Sequence, residues 1–119
     1  MTTFRLIPFP LHGALDMVTG LSAMIAPFVL GFGPAGTIVG VLVGAMLVGL
    51  ALYGVLDDAG RPALPVAAHH AADYGIAIGL FGVAALLGFA GDLAACAGLG
   101  TIAIAQLAIN LSTRYSLRS

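Results

Sequence analysis

The chain reads as an all-α, polytopic membrane protein with four transmembrane helices, and three observations predict that class. First, 61% of its 119 residues are hydrophobic and only 8% are charged. A soluble domain carries roughly 25% charged residues, so this chain cannot coat a water-facing surface. Second, the charges leave long gaps: none falls within 17–56, 74–91 or 93–113. Third, the apolar runs are continuous, whereas the strands of a transmembrane barrel alternate in polarity. Disorder is excluded by the same composition. A disulfide scaffold is excluded because Cys96 is the sole cysteine. The absence of Lys and a net charge of −1 exclude a nucleic-acid partner held by a basic patch.

The gaps place helices at about 8–31, 36–56, 65–89 and 93–112, since a crossing takes roughly 20 apolar residues. Pro8 and Pro65 suit first turns, where the missing N–H has no partner to lose. Pro27 lies inside the first helix and is expected to kink it. The run Gly31-Phe32-Gly33-Pro34-Ala35-Gly36 is a dense turn signal that splits the first gap in two. Arg61 joins helices two and three, Arg5 precedes helix one, and Arg114 and Arg118 follow helix four. All four Arg therefore fall on one side, which the positive-inside rule makes the cytoplasm of a plasma (inner) membrane protein. Both termini are expected there, and Met1–Gly13 does not read as a cleaved signal. Only Asp92 carries charge in the opposite loops.

The chain also repeats itself at an offset of 57, giving units 8–56 and 65–112. Between 8–32 and 65–89 seven of 25 positions are identical, among them Pro8/Pro65, His12/His69 and Asp16/Asp73. Each unit holds two crossings, so both run the same way, about a pseudo-two-fold axis along the membrane normal. A proline within the first helix of a two-helix unit (Ala26-Pro27-Phe28), followed by Leu30-Gly31-Phe32, resembles the SPW-repeat family of small bacterial membrane proteins. The family's Ser-Pro-Trp stands here as Ala26-Pro27-Phe28, and as Val83-Ala84-Ala85 in the second unit. The resemblance implies a fold of paired helices and no particular activity.

The repeated pairs place His12 over Asp16 and His69 over Asp73 on their helix faces. Each Asp lies about 12 Å along its helix, where a charge is costly and should face the bundle interior. Tyr53, carried by the offset onto Asn110, and the four-residue spacing of Gln106, Asn110 and Arg114 extend this into a polar layer fed by all four helices. Three readings compete. In the preferred one the layer is a structural clasp and the protein has a structural or accessory role. In the second, His12, Asp16, His69 and Asp73 bind a divalent transition metal, with His70 as a spare ligand. Axial His in a four-helix bundle could also hold a haem, but the nearness of His12 and His69 to the membrane surface makes the metal ion the preferred occupant. In the third, an oligomer conducts protons or ions, although the outer half offers only Thr19, Ser22, Thr37 and Thr101. No nucleophile constellation points to an enzyme, and Cys96 reads as a small apolar residue. Gly36, Gly40 and Gly44, and likewise Gly75 and Gly79, form ridges for close helix packing. With the bilayer as its first partner, the chain is expected to self-associate or to join a larger membrane complex.

Overall fold

The structure is a computed structural model that describes residues 6–115, so Arg5, Arg118 and the extreme termini lie outside it. Four helices form one bundle: α1 (Phe9–Leu30), α2 (Pro34–Tyr53), α3 (Val66–Phe89) and α4 (Leu93–Ser112). Each is long and apolar enough to cross a membrane. At about 1.5 Å of rise per residue, even the 20-residue α2 and α4 cover the roughly 30 Å hydrocarbon core. Two two-residue strands, β1 (Ile7–Pro8) and β2 (Thr113–Arg114), pair in parallel and join the start of α1 to the end of α4.

Chemistry at the boundaries explains them. Pro8 and Pro65 stand just outside the helices as N-caps, while Pro34 occupies the first turn of α2. Gly31 ends α1 with φ +72° and Gly91 precedes α4 with φ +96°, a region costly for any residue with a Cβ. Helix α1 continues through Pro27, whose ring packs on α2. A Cβ on Gly40 would come within 2.7 Å of that ring's Cγ and 2.9 Å of the Ala23 carbonyl. One on Gly20 would meet the Gly44 carbonyl at 2.8 Å, and one on Gly36 would meet the Ala95 Cβ at 2.7 Å. The α2 ridge therefore brings backbones together, as its spacing suggests. Gly75 and Gly79 differ: both are exposed, and a Cβ on either meets nothing. They do not pack within the chain.

Helix α1 packs chiefly on α2, α3 on α4, and α1 on α4, while α2 and α3 barely touch. The bundle is apolar outside and polar at one end inside. Phe28, Phe89 and Leu93 are more than two-thirds exposed, whereas His12, Asp16, His69, Asp73 and Gln106 have no exposure. A soluble protein arranges these residue types the other way round. The half holding the hairpin turns is filled by Ala23, Phe32, Leu80, Ala95, Leu99 and Ala103. Asp92 holds that end together. It caps α4 through the Ala95 N–H (3.0 Å) and accepts the Gly33 N–H (2.8 Å) from the other hairpin. The polar centre occupies the opposite half, toward Arg61 and Arg114.

A buried histidine–aspartate centre

Four side chains converge at the arginine end. The helical spacing of four stacks His12 on Asp16 and His69 on Asp73, and the packing of the bundle sets the two pairs face to face. His12 Nε2 lies 2.7 Å from Asp73 Oδ2 and 3.2 Å from Asp16 Oδ2. His69 Nε2 lies 3.2 Å from Asp16 Oδ2 and 3.3 Å from Asp73 Oδ2. The result is a ring of alternating nitrogen and oxygen, and one ligand atom from each residue lies within 4.8 Å of every other.

A second set of groups orients this ring. Gln106 spends both amide hydrogens, one on Asp16 Oδ1 and one on Asn110 Oδ1, each at 2.9 Å. Its own oxygen accepts the Thr19 hydroxyl at 2.9 Å. The Tyr115 hydroxyl reaches Asp73 Oδ2 at 2.9 Å and Asn110 Oδ1 at 3.2 Å. Burial and the nearby Asp73 carboxylate push the Tyr115 phenol well above its ordinary range, so it stays a donor. The rings of Phe9 and Tyr115 close over His12.

Hydrogen-bond logic fixes the tautomer of His12. Thr113 Oγ1 lies 2.6 Å from the Ile109 carbonyl, which can only accept, so the hydroxyl proton is spent there. His12 Nδ1, 2.7 Å from the same Oγ1, must then carry a hydrogen and donate it. The Nε2 of a neutral His12 is therefore a bare lone pair aimed at a carboxylate oxygen. Something positive, a proton or a metal ion, has to lie between them. Among the described residues His69 Nδ1, Asp73 Oδ1 and Asn110 Nδ2 are buried without a partner.

Three residues that the sequence pattern assigns to this layer stand elsewhere. Tyr53 is 61% exposed, so α2 contributes no polar side chain and three helices build the layer, not four. Its counterpart under the offset, Asn110, is 1% exposed. His70 is exposed because one residue turns a helix by about 100°. It lies against the rings of Tyr74 and Tyr115 instead of serving as a spare ligand. Arg114 is exposed as well, since α4 stops at Ser112. Beyond that point the chain is extended and its side chains alternate: Thr113 inward, Arg114 outward, Tyr115 back toward the centre. The helical spacing from Asn110 thus selected Arg114, while the extended backbone delivered Thr113 and Tyr115.

Thr19 also belongs to the network, although its place along the chain suggested the other half. The remaining outer hydroxyls are turned onto their own helices. Ser22 donates to the Val18 carbonyl at 2.7 Å, Thr37 to Gly33 at 2.9 Å and Thr101 to Ala97 at 2.7 Å. Comparison with protein-family models, with characterised proteins and with solved structures finds no match to this chain.

Proposed function

We propose that this is a metal-binding membrane protein whose His12, Asp16, His69 and Asp73 hold one divalent transition-metal ion, with zinc the best chemical fit. One observation carries the reading: the convergence of two imidazole nitrogens and two carboxylate oxygens, all fully buried. Bonds of 2.0–2.2 Å to a tetrahedral ion put neighbouring ligand atoms about 3.3–3.6 Å apart. Three of the four nitrogen–oxygen edges already measure 3.2, 3.2 and 3.3 Å. Charge agrees, because two carboxylates and two neutral imidazoles offset a divalent ion in a setting where uncompensated charge is expensive. The His12 Nδ1–H to Thr113 bond is the outer support that orients a ligating imidazole. An ion so placed ties α1 to α3, which α4 supports through Gln106, and its role would be structural or accessory.

A metal-free clasp is the second reading, favoured by the 2.7 Å contact of His12 with Asp73, the length of a charge-assisted hydrogen bond. Metal analysis of gently purified protein separates the two. One ion per chain, lost in the double variant Asp16→Asn/Asp73→Asn, supports the metal centre. No ion in either form, even after dialysis against zinc, leaves the clasp.

The same proposal takes the chain as a tandem two-helix repeat, with the arginine end in the cytoplasm. Arg61 and Arg114 support that orientation, and the exchanged pairs His12–Asp73 and His69–Asp16 support the duplication. The broad exposed apolar surface suits lipid and a further copy or partner subunit.

A further inference from the structure

An ion held by the centre has to reach it from water, yet His12, Asp16, His69 and Asp73 have no solvent exposure. Toward the hairpin turns the bundle is filled by Ala23, Leu80, Leu99 and Ala103, and a cation crossing that half would stand in an apolar medium. Beside His69 lies a cavity of about 400 Å³. The side chains of Phe9, Met17, Ala51 and Val55 line it and offer nothing to replace the water an ion would shed. The remaining side is the arginine end.

Among the described residues, that end is closed by the three that follow α4. Thr113 Oγ1 lies 2.7 Å from His12 Nδ1, and the Tyr115 hydroxyl lies 2.9 Å from Asp73 Oδ2. The Tyr115 ring stands 5.1 Å from the His12 ring and 6.1 Å from that of Phe9. The backbone of this strap has slight anchorage of its own. It pairs with β1 over two residues, Ile7 with Thr113 and Pro8 with Arg114, and Pro8 has no N–H to give. Even a whole isolated hairpin is marginal in water, so a pair this short does not hold by itself. The side-chain bonds of the strap run instead to an imidazole and a carboxylate of the centre. Whatever fixes His12 and Asp73 in place therefore holds the strap down, and by linkage the closed strap stabilises what they bind to the same degree.

We propose that Thr113–Tyr115 is a gate on the centre. It lifts from β1 to admit or release the divalent ion from the aqueous phase at the arginine end, and an ion in place holds it shut. The identity of what passes rests on the metal reading; the closure itself rests on the contacts of Thr113 and Tyr115.

Fastening the strap tests this. Pro8 and Arg114 are partners across the strand pair and both are exposed. Paired strands lie about 4.8 Å apart, within the roughly 4.4–6.8 Å that separates the Cα atoms of a disulfide. In the full chain carrying Cys96→Ser, in nanodiscs, Pro8→Cys with Arg114→Cys is oxidised to lock the strap. Release of zinc to an excess of a water-soluble chelator should slow at least tenfold against the same protein reduced and capped with iodoacetamide. Zinc bound at equilibrium should be the same in both. A second readout needs no metal: carbethoxylation of His12 and His69 by diethyl pyrocarbonate, resolved by peptide mass spectrometry. It should also slow at least tenfold, while the exposed His70 reacts as before. Tyr115→Ala, which removes the ring and the Asp73 contact, should quicken both processes without any disulfide. Equal rates in the locked and capped forms would overturn the gate and put the entrance at the cavity beside His69. Unchanged rates in Tyr115→Ala would overturn it as well. Zinc bound by none of the forms would sink the metal reading alone, and the histidine modification would still decide the gate.

Discussion

Thr113 shows how one hydroxyl decides the chemistry of a residue about a hundred positions away in the chain. Its proton goes to Ile109, so it can only accept from His12, and the His12 lone pair is turned toward the carboxylates. Thr113→Val keeps the shape and removes the acceptor. The His12 Nδ1–H is then buried unpaired, at a cost of about 1–3 kcal/mol. Metal affinity should fall roughly 10–100-fold, the usual penalty for losing such an outer partner. Competition with a zinc chelator would measure it, and an unchanged affinity would refute the assignment. Tyr115 offers a second check. Its phenol is buried beside Asp73, which disfavours the phenolate, so Tyr115 should ionise well above the ordinary range of a phenol. In an ultraviolet titration Tyr115→Phe should remove absorbance change that lies above that range. The sign for stability follows: an unfolded tyrosine ionises near about pH 10, so this contact's contribution is complete below that value and declines above it.

Helix packing separates two glycine ridges that look alike in sequence. A Cβ on Gly44 would overlap the carbonyl of Gly20, and backbone cannot move aside as a side chain can. Gly44→Ala should destabilise the protein by about 1–3 kcal/mol, as overpacking does. Gly79→Ala adds its methyl to open space and should be neutral, or stabilising by roughly 0.5–1 kcal/mol through helix propensity. Thermal melting in one detergent would compare them, and equal effects would mean that the α1–α2 approach is looser than described. A repeat of small residues encodes the capacity for close approach. Which helix approaches is set by the pairing of α1 with α2, and no spacing within α3 reports it. The same limit explains Arg114. A period of four holds only while the backbone is helical, and α4 ends two residues before it.

Across the whole molecule, the two hairpins are fastened at both ends. Asp92 accepts from the first hairpin's turn at Gly33 and from the first turn of α4 at Ala95, and the His/Asp centre with the β1–β2 pair closes the other end. Asp92→Ala removes the α4 cap and the Gly33 contact together, and should cost about 1 kcal/mol for the cap alone. Orientation has its own test. In a Cys96→Ser background, Asp58→Cys in the loop after α2 should react with an impermeant thiol reagent only after cells are opened. Labelling of intact cells would reverse the assigned sides.

Composition and charge gaps were enough for the number of helices and their bounds, because the cost of charge in hydrocarbon acts on every residue locally. α4 begins and ends where the gaps place it, α1 differs by one residue at each end and α3 by one at its start, whereas α2 runs Pro34–Tyr53 and so starts two residues and ends three residues before the expected 36–56. The repeated His-x-x-x-Asp spacing likewise identified the four residues at the polar centre, since side chains four apart share a helix face by geometry alone. Whether two such faces meet depends on how α1 and α3 turn about their axes against α4. Only tertiary structure decides that, and it exchanges the partners so that His12 meets Asp73 and His69 meets Asp16. It also left Tyr53, His70 and Arg114 outside, brought in Thr19, Thr113 and Tyr115, and opened the cavity beside His69. Those outcomes turn on helix rotation and on where a helix ends, which a pattern of apolar and polar residues constrains only loosely in a chain whose exterior and interior are both apolar.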